Sequence, residues 1–301
     1  MCSVATNPTT RSPLVIGEVL FDHFPDGKEV LGGAPFNVAW NLQGMGFSPQ
    51  MITAVGNDAA AEKVRGAMGD WGMTHDFVQT VVDKPTGKVE VTLKEGEPKF
   101  DILQDRAWDF IEPPPVANFE PFSWLYYGSL AYRSPRTAET MRKLIAECGL
   151  PRFVDINIRP PWFEAAWLDV LVRDADWVKM NQDELEQMTA TRCESPEDIQ
   201  RAAAKFREKY GVRNFCITAG AQGAFLATED GNGIQIAVTP PDPLVDTVGA
   251  GDAFASVLLA GLIGERPLKA AGEAASRFAA KVCQNNGATC RDKSFYKNVF
   301  G

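Results

Sequence analysis

Short apolar runs and segments of helical spacing take turns along most of this chain, and that alternation narrows its possible folds more than any other feature. Residues 14–21 form an apolar run, 35–45 repeat apolar residues at helical spacing, 50–55 read as a strand and 59–69 as a helix. The order returns with a strand at 124–127, a helix at 135–148, a strand at 153–156, a helix at 163–172, a strand at 177–180 and a helix at 182–188. A further helix at 196–209, a strand at 214–218 and an apolar helical run at 253–264 complete the pattern. Strands that alternate with helices predict a mostly parallel sheet covered on both faces, with ligands at the carboxyl ends of the strands.

One stretch departs from the rhythm. Residues 87–93 alternate polar and apolar side chains, and a turn at 95–98 leads into 100–103, the pattern of a hairpin with one wet face. With residues 28–31 it predicts a small accessory sheet, either a lid over a binding site or an edge hairpin of the main sheet. Pro113, Pro114 and Pro115 mark a stiff return to the core. No internal repeat or flexible interdomain linker is visible, so a single domain over residues 1–301 is expected, with lid segments near 23–34 and 85–112.

Two glycine-rich segments carry the chemistry. Asp246-Thr247-Val248-Gly249-Ala250-Gly251-Asp252 runs directly into the apolar helix. The first turn of a helix leaves its N–H groups unpaired, and the macrodipole adds positive charge, so Gly249, Ala250 and Gly251 can bring donors close to a phosphate. Asp252 in the same turn is placed to accept a proton from an attacking hydroxyl. A capped buried helix with glycines for tight packing is the plainer reading of the same heptapeptide. The second segment, Gly32-Gly33-Ala34-Pro35-Phe36-Asn37, opens the first helix with proline in its first turn. Asn37 offers a donor and an acceptor to vicinal hydroxyls, and Asp22 closes a strand with a carboxylate suited to a polyol. Turn and cap roles for Asp22 and Asn37 are the alternative.

Composition closes several routes. A net charge of −9 with no clustered Lys and Arg opposes nucleic-acid binding. The longest strongly apolar stretch, 254–264, is about half of what a membrane span needs. Six cysteines without a CxxC pair and only His23 and His75 to join them argue against zinc and for reduced thiols, with Cys216 and Cys283 buried. The polar first 13 residues lack the apolar segment of a secretory signal, so a cytoplasmic location is expected. Neither a P-loop nor GxGxxG is present, so phosphate must be held by other means.

The two segments together resemble the paired signatures of the ribokinase-like (PfkB) carbohydrate kinases, and the chain is most similar to the fructokinases among them. Gly32, Gly33, Pro35, Asn37 and Ala39, continuing to Gly46 and Gly56, match the amino-terminal signature; Asp246-Thr247 and Gly249 to Asp252 match the carboxyl-terminal one. The resemblance implies a three-layer α/β/α core with a mostly parallel sheet plus a small β-sheet lid. It implies ATP as co-substrate, with Asp252 as the base and Gly249, Ala250 and Gly251 as the anion hole. Sugar-binding positions map onto Asp22, Gly32, Gly33 and Asn37, with Arg106 from the lid and Asn157 and Arg159 from a DxNxR segment. Asn181 with Glu184 resembles the NxxE element that organises hydrated Mg2+, although the pair also has the spacing of a helix cap. Thr218, Gly220 and Gly223 map along the nucleotide. Asp246, Val248 and Gly287 map near a monovalent-cation site, which implies K+, and lid-to-lid pairing implies a homodimer. The family commonly carries a small residue where this chain has Val257, which implies altered packing there. The expected activity is phosphorylation of a small ketose, fructose first; ribose, a 2-keto-3-deoxy sugar acid or a nucleoside are alternative substrates, and a non-catalytic sugar-binding regulator is the alternative of another class.

Overall fold

The computed structural model describes residues 11–94, 97–231 and 233–301. In chain order the elements are β1 (Ser12–Ile16), β2 (Leu20–His23), β3 (Glu29–Gly32), α1 (Ala34–Gly44), β4 (Gln50–Val55), α2 (Ala59–Trp71), β5 (Val78–Thr80), β6 (Gly87–Lys94) and β7 (Glu97–Ile102). They continue with β8 (Phe122–Gly128), α3 (Pro135–Glu147), β9 (Arg152–Asp155), α4 (Leu168–Leu171), β10 (Trp177–Asn181), α5 (Gln182–Thr189) and α6 (Pro196–Tyr210). The last are β11 (Asn214–Thr218), β12 (Ala224–Ala227), β13 (Gly233–Ile236), α7 (Ala250–Ile263) and α8 (Leu268–Val282).

Among the described residues nine strands form one sheet in the order β13-β12-β11-β10-β9-β8-β1-β4-β5. Every pairing from β11 to β5 is parallel, and β12 and β13 add an antiparallel edge. Side chains alternate between its faces as the pleat requires. Leu14, Ile16, Leu125, Tyr127, Val154 and Val178 pack with residues of α3 to α6, whereas Val15, Tyr126, Phe153 and Trp177 pack with α1, α2, α7 and α8. The core is therefore three layers in the ribokinase-like α/β arrangement. Val257 is fully buried in the second of these layers, among α7 and α8 residues.

A separate sheet in the order β3-β2-β6-β7 stands beside the main one. The run at 14–21 is thus two strands, β1 and β2, in two sheets. Gly17 divides them at φ 153°, where an added Cβ would fall 2.4 Å from Pro35 Cγ. The hairpin at 87–103 belongs to the small sheet and not to the edge of the main one, and its turn at 95–96 lies outside the described residues. The helix expected at 163–172 is shorter: a 3-10 turn at Ala165–Trp167 and a single turn, α4. Trp162 and Phe163, in the loop before it, and Trp167 of the 3-10 turn pack against the core. No helix among the described residues is long and apolar enough to cross a membrane.

Candidate active site

The two glycine-rich segments meet at the starts of α1 and α7. Gly249 caps α7 in the left-handed region, φ 80°, and a Cβ there would overlap Ala288 at 2.2 Å. Only glycine turns the chain so tightly into the helix. Gly251, inside the first turn, has room for a side chain, with Lys179 Nζ in ordinary contact at 3.5 Å from an added Cβ. Gly33 begins α1 at φ 113°, its Cα face against the Glu18 carbonyl. Across the gap Asn37 Nδ2 donates to Asp252 Oδ2 at 2.8 Å, a buried bond between residues 215 apart in sequence. That bond leaves Oδ1 of Asn37 buried without a partner.

A cavity of about 510 Å³ opens over this junction. Asp22, Gly33, Asn37, Asn157, Arg159, Val248, Gly249, Gly251 and Asp252 all line it, with Leu20, Val89, Phe100 and Ile102 of the small sheet as one wall. The other walls are the carboxyl ends of β1, β8, β9 and β10 and the segments that follow them. Asp22 Oδ2 and Asn37 Oδ1 converge on Gly32, each 3.7 Å from where its Cβ would be. Asn157 reaches the cavity through a left-handed backbone, φ 46°, a conformation asparagine tolerates better than most residues.

The electrostatics of the cavity favour proton acceptance. Burial raises the Asp252 carboxyl from its ordinary 3.8 to about 6, although the Asn37 donor pulls the other way. Burial alone raises Asp22 to about 6. At the floor Lys179 Nζ donates to both oxygens of Asp155, at 2.8 and 2.9 Å, and Tyr126 Oη donates to Oδ2 at 3.3 Å. Burial works against the Lys179 ammonium, but Asp155 outweighs it and holds the group above its ordinary value. Several lining residues had no role assigned from sequence, Glu18, Tyr126 and Lys179 among them. A signal existed for Lys179, a lone cation inside the apolar run 177–180, because a charge in a buried strand needs a partner.

Other expected site residues lie outside this cavity. Asn181 and Thr218 sit side by side in register at the ends of β10 and β11, and Gly220 and Gly223 follow, both at positive φ. Glu184 and Asn181 form a reciprocal cap: Asn181 N–H donates to Glu184 Oε2 and Glu184 N–H to Asn181 Oδ1, both at 2.8 Å. The second Glu184 oxygen accepts Ile158 N–H at 2.6 Å. Burial raises this carboxyl, and the two donors oppose the rise. Arg106 does not line the cavity; its backbone N–H donates to Asp109 and its Nε is buried without a partner. Asp246 gathers two loops, accepting Val248 N–H at 2.9 Å on Oδ1 and Gly287 N–H at 3.0 Å on Oδ2. These three border a second hollow of about 430 Å³ that shares Asp22 with the first. Among the described residues, no three His, Cys, Asp or Glu side chains cluster as a metal site.

With this geometry in hand, the comparisons agree with one another. The pfkB family carbohydrate kinase model matches residues 14–293. A fructokinase of Klebsiella pneumoniae is 28% identical over 264 residues, covering 82% of this chain and 83% of its own. A ribokinase of Arabidopsis thaliana is 25% identical, covering 83% of this chain and 67% of its own. The structure of Arabidopsis thaliana ribokinase complexed with ribose and ATP superposes with a TM-score of 0.81 at 21% identity, covering 97% of this chain and 99% of that one, and shares the fold.

Proposed function

The chain belongs to the pfkB family of carbohydrate kinases, and from that premise we propose that it transfers the terminal phosphoryl group of ATP to a hydroxyl of a small neutral ketose, fructose first. The observation that carries the reading is the 2.8 Å bond from Asn37 to Asp252, which joins both glycine-rich segments at the wall of one cavity. In this reading Asp22, Gly32, Gly33, Asn37 and Asn157 hold the sugar. Asp252 accepts the proton of the attacking hydroxyl, and the N–H groups of Gly249 and Gly251 face the transferring group; the Ala250 N–H expected beside them donates to the Thr247 carbonyl at 3.2 Å. Arg159 supplies positive charge to it. The small sheet serves as a lid that excludes water, which would otherwise compete as acceptor.

A neutral substrate is favoured over a sugar acid by charge. Glu18, Asp22, Asp155 and Asp252 line the cavity, Lys179 is committed to Asp155, and Arg159 is the remaining lining cation. A substrate carboxylate would compete with phosphate for it.

Asn181, Thr218, Gly220 and Gly223 lie where a nucleotide would extend along the strand ends. Magnesium would arrive with ATP; Glu184, whose two oxygens already accept backbone donors, suits contact with its water shell better than direct ligation. The Asp246 carboxylate ties the Val248 and Gly287 loops together through their N–H groups; carboxylate and backbone carbonyl oxygens there are the donors a hard cation such as K+ would take, and charge compensation beside the anion hole is what it would supply. A homodimer through the small sheet and a role for Arg106 at the sugar belong to the same proposal.

A coupled assay over fructose, ribose, nucleosides and sugar acids, with and without K+, tests the reading. Fructose is expected to give the highest kcat/KM. Asp252→Asn should reduce turnover by about 10² to 10⁴; near-normal turnover in a folded variant would refute the base, and sugar binding without turnover in the native enzyme would favour the regulator.

A further inference from the structure

Glu18 follows β1 directly and is 4% exposed, yet it lines the cavity within reach of the groups that hold the sugar. Its Oε2 is buried with no hydrogen-bond partner. Among the cavity residues, Asn37 Oδ1 is the other such atom. A buried polar atom left unpaired costs about 1 to 3 kcal/mol, so two of them facing one cavity point to a ligand that satisfies both.

The charge around Glu18 decides the form it takes. Asp252 from α7 stands near enough to raise it, and Arg159 from the segment after β9 partly offsets this. Tyr126 from β8 feels it as well, and Asp22 from β2, Asp155 from β9 and Lys179 from β10 face the same space. Burial is the largest influence and lifts the carboxyl from 4.5 to about 7, against the N–H groups of Glu18 and Ala34. Asp252 must be ionised to accept a proton, and two neighbouring carboxyls in a dry site do not both ionise. Glu18 is lifted further than Asp252, so below about pH 7 the proton is held on Glu18.

We propose that Glu18 is a sugar-binding residue that acts as a neutral carboxylic acid, donating a hydrogen bond to a substrate oxygen next to the hydroxyl that Asp252 deprotonates. This rests on the kinase reading above. The donor selects a sugar with an acceptor oxygen at that place, and the proton it keeps spares Asp252 a second negative neighbour.

The test is the pH dependence of the sugar KM, with the best sugar of the panel and saturating Mg-ATP. In the native enzyme KM should rise about tenfold for each pH unit above the Glu18 transition, because the ionised form lacks the donor. Glu18→Gln keeps an N–H donor that cannot ionise and should flatten that rise. Glu18→Ala should raise the sugar KM by about tenfold to a hundredfold below the transition, with the difference from native closing above it, and leave the ATP KM near native, which a merely structural role would not. An unchanged sugar KM in Glu18→Ala, or a rise with pH that persists in Glu18→Gln, overturns the proposal. Absence of phosphorylation of every sugar by the native enzyme overturns the kinase reading and this inference with it.

Discussion

A carboxylate taken out of water holds its proton more tightly, and Asp252, 9% exposed, is both a better base and a burden on the fold. Its function needs the ionised form, so kcat/KM should fall as pH drops through about 6. Stability moves the other way. Asp22, Asp252 and Glu18 all have folded values raised above their ordinary 3.8 to 4.5, to about 6, 6 and 7. A raised carboxyl favours the fold while it is neutral; that contribution is complete below its ordinary value and is lost as pH climbs through the folded one. Asp252→Asn removes one such group. Its melting temperature relative to the native protein should therefore rise between about pH 4 and pH 6.5 while its activity stays low. Thermal melts of both proteins across that range check this; a pH-independent difference would mean that Asp252 is not perturbed by burial.

The start of α7 separates glycine's two uses within one element. Gly249 is required by backbone shape, since φ 80° and the 2.2 Å approach to Ala288 leave no room for a side chain. Gly251 has ordinary helical geometry and room for a Cβ toward the cavity. Gly251→Ala should fold as well as the native protein, with up to about 1 kcal/mol gained in helix propensity, and lose turnover because the methyl occupies the approach of the phosphoryl group. A melting temperature at or above native together with normal kcat would show that phosphate passes elsewhere. The elements legible in the sequence were those with a strong period, such as β4, β9 to β11 and α1 to α3. α8 was not. Its buried stripe is Ala271, Ala274, Ala275 and Phe278, and alanine marks a buried face only weakly. β5, β12 and β13 were missed as well; each is three or four residues long and its register comes from a neighbouring strand.

In the molecule as a whole, one buried arginine fastens the end of the small sheet to the core, beside the apolar packing of Leu20, Val89, Val91 and Ile102. Asn37 and Asp252 were legible as candidate site residues because each follows a glycine-bearing helix start, and Asp22 because its carboxylate comes near the end of a strand; all three line the cavity. Lys179 and Glu18 were not, because their significance depends on which strands become neighbours. Arg133 belongs to that second kind. Its side chain is 4% exposed, and Nε and Nη2 donate to the Asp109 carboxylate at 2.9 and 3.0 Å. Nη2 and Nη1 also donate to the carbonyls of Leu103 and Ile102, at 2.7 and 3.3 Å, where β7 leaves the small sheet. The guanidinium lies between two rings, 4.0 Å from Trp108 and 4.9 Å from Trp162, and Trp162 is in the segment that carries Arg159. Ile102 lines the cavity, so one wall of the cavity and the loop that carries Arg159 share one fastening. Arg133→Met would leave Asp109 buried and unpaired, at a cost of about 3 to 5 kcal/mol, read from urea denaturation. Pairing it with Asp109→Asn should restore part of that stability, because no uncompensated charge remains. The double variant should still show a raised sugar KM, since the carbonyls of Ile102 and Leu103 have lost their donors and the wall is no longer held. A double variant with native stability and native sugar KM would show that the small sheet keeps its place without Arg133.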